Sequence, residues 1–120
     1  MSHSYLIFSN NNELLRLRSD RIVYVTSEGN YSTLHMENGD QHVLTMQLGV
    51  VIQHLENQLG ADSTHFIRIG RSLIINRNYI HTINPAEQRL LMFDDMGHKH
   101  KLSASKEALR QLKDVIESGL

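Results

Sequence analysis

Apolar residues along this chain recur with two different periods, and the changes between them divide it into β and helical stretches. Residues 5–8, 14–17 and 22–25 are short β-forming runs separated by polar clusters, of which Ser9-Asn10-Asn11-Asn12 is the clearest turn. Residues 31–36 and 41–46 flank Asn38-Gly39, a pair suited to the positive φ angles of a type I′ turn, and so predict a hairpin. Alternation places Leu34 and Met36 on one face of it and Tyr31, Thr33 and His35 on the other. The glycine-containing loop Ser27-Glu28-Gly29-Asn30 precedes this hairpin, with Asn30 and Tyr31 at its exit.

Between residues 45 and 59 the period becomes 3.6, and Leu48, Val51, Ile52, Leu55 and Leu59 fall on one stripe of a helix that ends at Gly60. Short strands return at 66–69, 73–75, 79–83, 89–93 and 98–102, with turns at Asn84-Pro85 and Asp94-Asp95-Met96-Gly97. A second helix is predicted over 105–117. Ser105 is its N-cap, Glu107 lies in its first turn, Leu109, Leu112, Val115 and Ile116 form its apolar stripe, and Gly119 follows its end. The expectation is a mostly β fold, with short antiparallel strands, one mid-chain helix and one C-terminal helix.

The 120 residues suit a single domain, because domains typically hold about 100 to 150 residues and one core. A lone proline and a 40% apolar content argue for a folded globular chain. Without cysteine there are no disulfides or thiolate metal sites. No signal-peptide pattern opens the sequence and no apolar run reaches the ~20 residues needed to span a bilayer, so a soluble cytoplasmic protein is expected, with no membrane partner.

A net charge of −1 argues against a uniformly basic nucleic-acid-binding surface. Its distribution changes the picture. Residues 1–60 carry three Arg against six Asp/Glu, 3 − 6 = −3, and residues 61–120 carry nine Lys/Arg against seven Asp/Glu, 9 − 7 = +2. From residue 63 to 86 no acidic residue stands beside Arg68, Arg71 and Arg77.

Candidate chemistry concentrates in that stretch. In Phe66-Ile-Arg-Ile-Gly-Arg-Ser-Leu-Ile-Ile-Asn76, cationic and hydroxyl side chains interrupt an apolar β-forming run. A bend at Gly70 would hold Arg71 and Ser72 at a loop tip with both arms anchored in the core, where they suit phosphates and base edges. Solvated arginines on a plain hairpin are the alternative. At residues 103–106, a hydroxyl cap and the Lys106 cation meet at a helix start, where free N–H groups favour an anion; an ordinary N-cap with an exposed lysine is the bland reading. His98-x-His100 would place two imidazoles on one strand face, but a third ligand could only be guessed from His35, His42 or a carboxylate, and scattered surface histidines are the commoner arrangement. No nucleophile elbow, zinc-protease motif, phosphate loop or paired-carboxylate signature occurs, so neither catalysis nor a cofactor is indicated. Asp94-Asp95 suits a turn whose side chains cap their own backbone.

The ordered features Ile22-Val23-Tyr24-Val25, Ser27-Glu28-Gly29-Asn30-Tyr31, the hairpin, the helix, Phe66-x-Arg68-Ile69-x-Arg71-Ser72-x-x-x-Asn76, Ile80 and Ile83, and a last strand running into Ser105-Lys106 resemble the LytTR DNA-binding domain of bacterial response regulators. The resemblance spans roughly residues 14–116. It implies an elongated fold of short antiparallel strands and small helices that binds double-stranded DNA through loops entering successive major grooves, and a transcription regulator placed in two-component signalling. Asn30 and Tyr31 match its first contact loop, Arg71 and Ser72 its central one, and Lys106, next to Ser105, its basic residue after the last strand. Arg68 matches a motif arginine that can serve contact or structure. Two copies on repeated half-sites, and a homodimer on DNA, follow from the same resemblance. The chain departs from the family pattern at Gly70, where His is usual, at Thr26, where Glu is usual, and at Lys106, where Arg is commoner. A lysine lacks the forked donor pair, which favours a phosphate over a guanine. The 120 residues leave no room for a phosphorylatable receiver domain, so a stand-alone regulator or an output domain is expected. A small β module that binds a protein or a ligand is the competing class, and it predicts no salt-dependent binding to DNA.

Overall fold

The computed structural model describes residues 4–119. Ten strands and two α-helices follow one another in the order β1 (Tyr5–Ser9), β2 (Leu14–Arg18), β3 (Ile22–Glu28), β4 (Tyr31–Met36), β5 (Gln41–Leu44), α1 (Leu48–Leu59), β6 (Phe66–Ile69), β7 (Leu73–Asn76), β8 (Ile80–Asn84), β9 (Arg89–Phe93), β10 (Lys99–Ser103) and α2 (Lys106–Ser118). The strands form a β1-β2 hairpin, a five-stranded sheet of order β5-β4-β3-β7-β6 and a three-stranded sheet of order β10-β9-β8. All pairings are antiparallel. The extents of 44 × 36 × 26 Å give a long axis well beyond the short one. Among the described residues, no helix is long and apolar enough to cross a membrane.

The five-stranded sheet is the middle layer, because its central strands bury both faces. Ile74 of β7 joins one core with Leu6 and Phe8 of β1, Leu34 of β4 and Val51 and Leu55 of α1. Its neighbours Leu73 and Ile75 point the other way, into a second core with Leu90 and Met92 of β9 and Leu109 and Leu112 of α2. Successive side chains of a strand face opposite sides, so an unbroken apolar run suits a strand covered on both. On β4, covered on one side only, Ser32, Leu34 and Met36 are buried and Tyr31, Thr33 and His35 are not.

Three local expectations are corrected. Asn38-Gly39 is not a type I′ turn. Of the two residues only Gly39 has positive φ, +88°, and its N–H donates to Met36 O at 3.0 Å while Met36 N–H donates to Asp40 O at 2.9 Å. The Asn38 carboxamide explains this: its Oδ1 accepts from Asp40 N at 2.9 Å, a local bond that leaves the left-handed angle to glycine alone. The strand expected to reach residue 46 ends at Leu44, and α1 begins at Leu48, because the buried Ser32 hydroxyl takes Met46 O at 2.8 Å and turns the chain off the sheet. Val115, assigned to the apolar stripe of α2, is 48% exposed, since the core takes Leu109 and Leu112 fully and Ala108 and Ile116 in part, and leaves Val115 at the rim of a cleft beside β6.

Candidate nucleic-acid interface

Two tight turns project from one end of the five-stranded sheet. Glu28 pairs with Tyr31 across the β3-β4 hairpin, leaving Gly29 and Asn30 as a two-residue turn, and Gly29 has φ +62° while Asn30 does not enter the left-handed region. Positive φ at the first central position alone is the type II′ arrangement, whose twist matches that of the strands. Ile69 pairs with Leu73 across the β6-β7 hairpin, leaving Gly70-Arg71-Ser72 at its tip with Gly70 at φ +58°. β3 and β7 are neighbours in the sheet, and the Ser27 N–H donates to Ser72 O at 3.0 Å. That bond ties the two tips together although 45 residues separate Ser27 from Ser72.

The expected contact residues fall on these tips. Asn30, Tyr31, Arg68, Arg71 and Ser72 are all exposed. Arg68 reaches back along the β6-β7 tip, with Nη2 3.5 Å from Arg71 O and Nη1 3.5 Å from the point where a Cβ on Gly49 would stand. Its position between the first turn of α1 and the Arg71 carbonyl braces the tip. Ser105 caps α2, its Oγ accepting from Ala108 N at 3.1 Å, and Lys106 follows as the first, exposed helical residue. The direction of α2 is fixed at both ends. Ala108, Gln111, Leu112 and Val115 line a shallow cleft with Ile67, Arg68, Ile69 and Gly70, and at the helix's finish a Cβ on Gly119 would lie 3.2 Å from Arg77 Nη2, past the far end of β7. The helix therefore points its start, with Lys106, toward the end of the sheet that carries the two tips. Residues 12–117 match the family model described as the LytTr DNA-binding domain.

The chain belongs to the LytTR DNA-binding domain family. A solved structure of the LytTr DNA-binding domain of a Bacillus cereus protein, described as a methyl-accepting/DNA response regulator, is similar with a TM-score of 0.61 at 20% identity, over 96% of this chain and 98% of that one. No curated protein matches.

Three further features of this LytTR domain escaped the sequence reading. Gln47 sits between β5 and α1, and its Nε2 donates to Asn30 Oδ1 at 3.3 Å, joining a third segment to the tips. At the opposite end, His98 and His100 converge on the buried Asp94, whose Oδ2 lies 3.2 Å from His98 Nδ1 and 2.8 Å from His100 Nε2. Asp94 Oδ1 also accepts from the backbone N–H groups of Met96 and His98, so the expected self-capping turn is present at Asp94. Burial raises the Asp94 pKa, but the His100 bond, the two backbone N–H donors and the His98 charge outweigh it, and the carboxyl stays below its ordinary range. Among the described residues, no group of three or more His, Asp or Glu side chains is placed to hold a metal. The ring of His35 stacks on Tyr24 at 4.1 Å, and its Nε2 lies 2.9 Å from Thr26 Oγ1. Desolvation, followed by the nearby His100, lowers its pKa. Both partnerships lie within consecutive hairpins, and they were missed because they depend on the register across each turn, which sets the side chains that face one another.

Proposed function

We propose that this chain is a sequence-specific DNA-binding regulator, a single LytTR domain that grips duplex DNA with the tip-bearing end of its five-stranded sheet. The observation that carries this reading is the convergence at one end of three segments distant in sequence, Gly29–Tyr31, Gly70–Ser72 and the start of α2. Tips held by a sheet are rigid enough to enter a groove without an inserted helix. Arg71, with its fork of donors and no side-chain partner among the described residues, is suited to a guanine edge. Asn30, Tyr31 and Ser72 flank it, and Arg68 supports it from behind. Ser105 and Lys106 take a backbone phosphate, with the hydroxyl capping the helix and the ammonium neutralising charge. A few cations placed at tips suffice for such contacts, which reconciles DNA binding with a net charge of −1. Tied by the Ser27–Ser72 bond, the two tips share one major groove, the successive-groove contact implied by the family resemblance falls to the start of α2, and two copies occupy repeated half-sites.

A mobility-shift series on selected and random duplexes across a range of salt concentrations tests this. Affinity should fall steeply and log-linearly with salt, as expected when phosphate contacts release counterions. Salt-independent retention would point to a different partner, and equal affinity for every duplex would reduce the activity to non-specific DNA binding.

A further inference from the structure

The bond between Gln47 and Asn30 carries information about which base the first tip reads. Gln47 occupies the N-cap position of α1, yet its side chain makes no capping hydrogen bond. Residues favoured at that position turn an oxygen onto their own helix. Gln47 instead extends across the tip and donates its Nε2 to Asn30 Oδ1.

Both ends of this contact are firmly mounted. The peptide before Gln47 is held by the buried Ser32, whose Oγ donates to Met46 O at 2.8 Å, and the carbonyl of Gln47 accepts from Val50 N and Val51 N at 3.0 and 3.1 Å. Asn30 stands in a two-residue turn closed by the Glu28–Tyr31 pair. With its oxygen turned toward Gln47, the Asn30 carboxamide turns its nitrogen outward. Nδ2 has no partner among the described residues.

We propose that Gln47 is a positioning residue that fixes the Asn30 carboxamide as a donor toward DNA, so that this tip selects a base edge presenting acceptors, guanine first. This rests on the proposed placement of Asn30 against DNA. A freely rotating asparagine pairs with adenine, giving N–H to N7 and accepting from N6, whereas guanine shows two acceptors, N7 and O6. An amide whose oxygen is turned toward Gln47 presents only its N–H groups to the groove, which matches the guanine edge and loses the second half of the adenine pair. Gln47 would thus govern specificity without touching a base.

Selection from a random duplex pool, read by sequencing, tests this on the intact chain with four variants. Asn30→Ala should erase preference at one base pair, a change of about tenfold in relative affinity. Gln47→Glu can only accept, so it should rotate the carboxamide, turn Oδ1 outward and move the preference at that same pair toward cytosine or adenine, whose amino groups donate. Gln47→Lys can only donate and should keep the original preference. Gln47→Leu frees the amide and should admit adenine beside guanine. An unchanged preference in both Gln47→Glu and Gln47→Leu, with the preference lost in Asn30→Ala, would overturn the positioning role and leave the base contact standing. No change at any base pair in Asn30→Ala would remove the base contact and this inference with it.

Discussion

The two ends of the five-stranded sheet are built on opposite rules. At the end away from the tips, polar groups are consumed internally. Asn76, 1% exposed, donates its Nδ2 to Ile22 O at 3.0 Å and accepts from Asn78 N, and Tyr79 donates its hydroxyl to Asp20 O and also reaches Glu37. Glu37 lies 3.7 Å from Arg21, and its carbonyl lies 2.8 Å from His98 Nδ1. At the tip end, the side chains of Tyr31, Arg71, Ser72 and Lys106 make no hydrogen bond or ion pair among the described residues. A buried polar group left unpaired costs stability, whereas an exposed one keeps its donors for a partner. One end closes the fold and the other offers it.

The contrast breaks most severely at Asn76. Asn76→Ala leaves Ile22 O and Asn78 N without partners and should cost about 2 to 4 kcal/mol, a melting-temperature drop on the order of 10 °C in calorimetry. A loss under about 2 °C would show that the closed end does not depend on its polar staples. At the open end the signature reverses. Arg71→Ala should leave the melting temperature unchanged while costing about 1 to 3 kcal/mol at the preferred duplex and relaxing selection at one base pair. Equal losses on preferred and random duplexes would reduce Arg71 to a phosphate contact. Tyr31 is half exposed at the hairpin end, so Tyr31→Ala should weaken binding at an unaltered melting temperature. A fall of several degrees with binding intact would instead assign Tyr31 to the fold.

Smaller effects sharpen the same contrast. Lys106→Ala should weaken binding to all duplexes alike and lower the slope of log affinity against log salt by about one unit, while Lys106→Arg retains affinity. A slope identical to wild type would make Lys106 merely solvated. The last effect is set by pH. Because burial holds the folded His35 pKa below its ordinary 6.5, the unfolded chain takes the proton first. Stability from this group is therefore complete above pH 6.5 and declines as pH falls through 6.5 toward the lower folded value. Denaturant titrations of wild type and His35→Gln should separate at pH 7 and converge on acidification. A gap that stays constant with pH would exclude His35 as the source.

Much of this was legible because alternation and glycine placement are local properties. The run from Phe66 to Asn76 announced a hairpin with arginines at its bend, and Gly70 does adopt the left-handed angle there. Capping by Ser105 is likewise local, and is observed. Side-chain partnerships set by register or by the wider fold were not legible. His98 and His100 face Asp94 across a turn that the sequence does announce, but which side chains meet there depends on the hairpin register, and Gln47 carried no mark because its partner lies 17 positions away. The type I′ expectation failed for a subtler reason: a side-chain bond within Asn38-Gly39-Asp40 competes with the backbone preference of the same residues.

The place of β3 in the sheet has a consequence for synthesis on the ribosome. β4 follows it across a two-residue turn and pairs within microseconds of emergence, but its other neighbour, β7, brings Ile75 to Tyr24 from some fifty residues later. Until β7 emerges, the nascent chain displays an open strand edge with apolar side chains on both faces, the kind of surface that recruits another chain. α1 is translated in that interval and can cover one face, yet the edge itself waits for β7. The interval between those two strands is thus the period of greatest exposure to aggregation, and substitutions that weaken β7 should lower soluble yield before they alter the finished protein's affinity for anything.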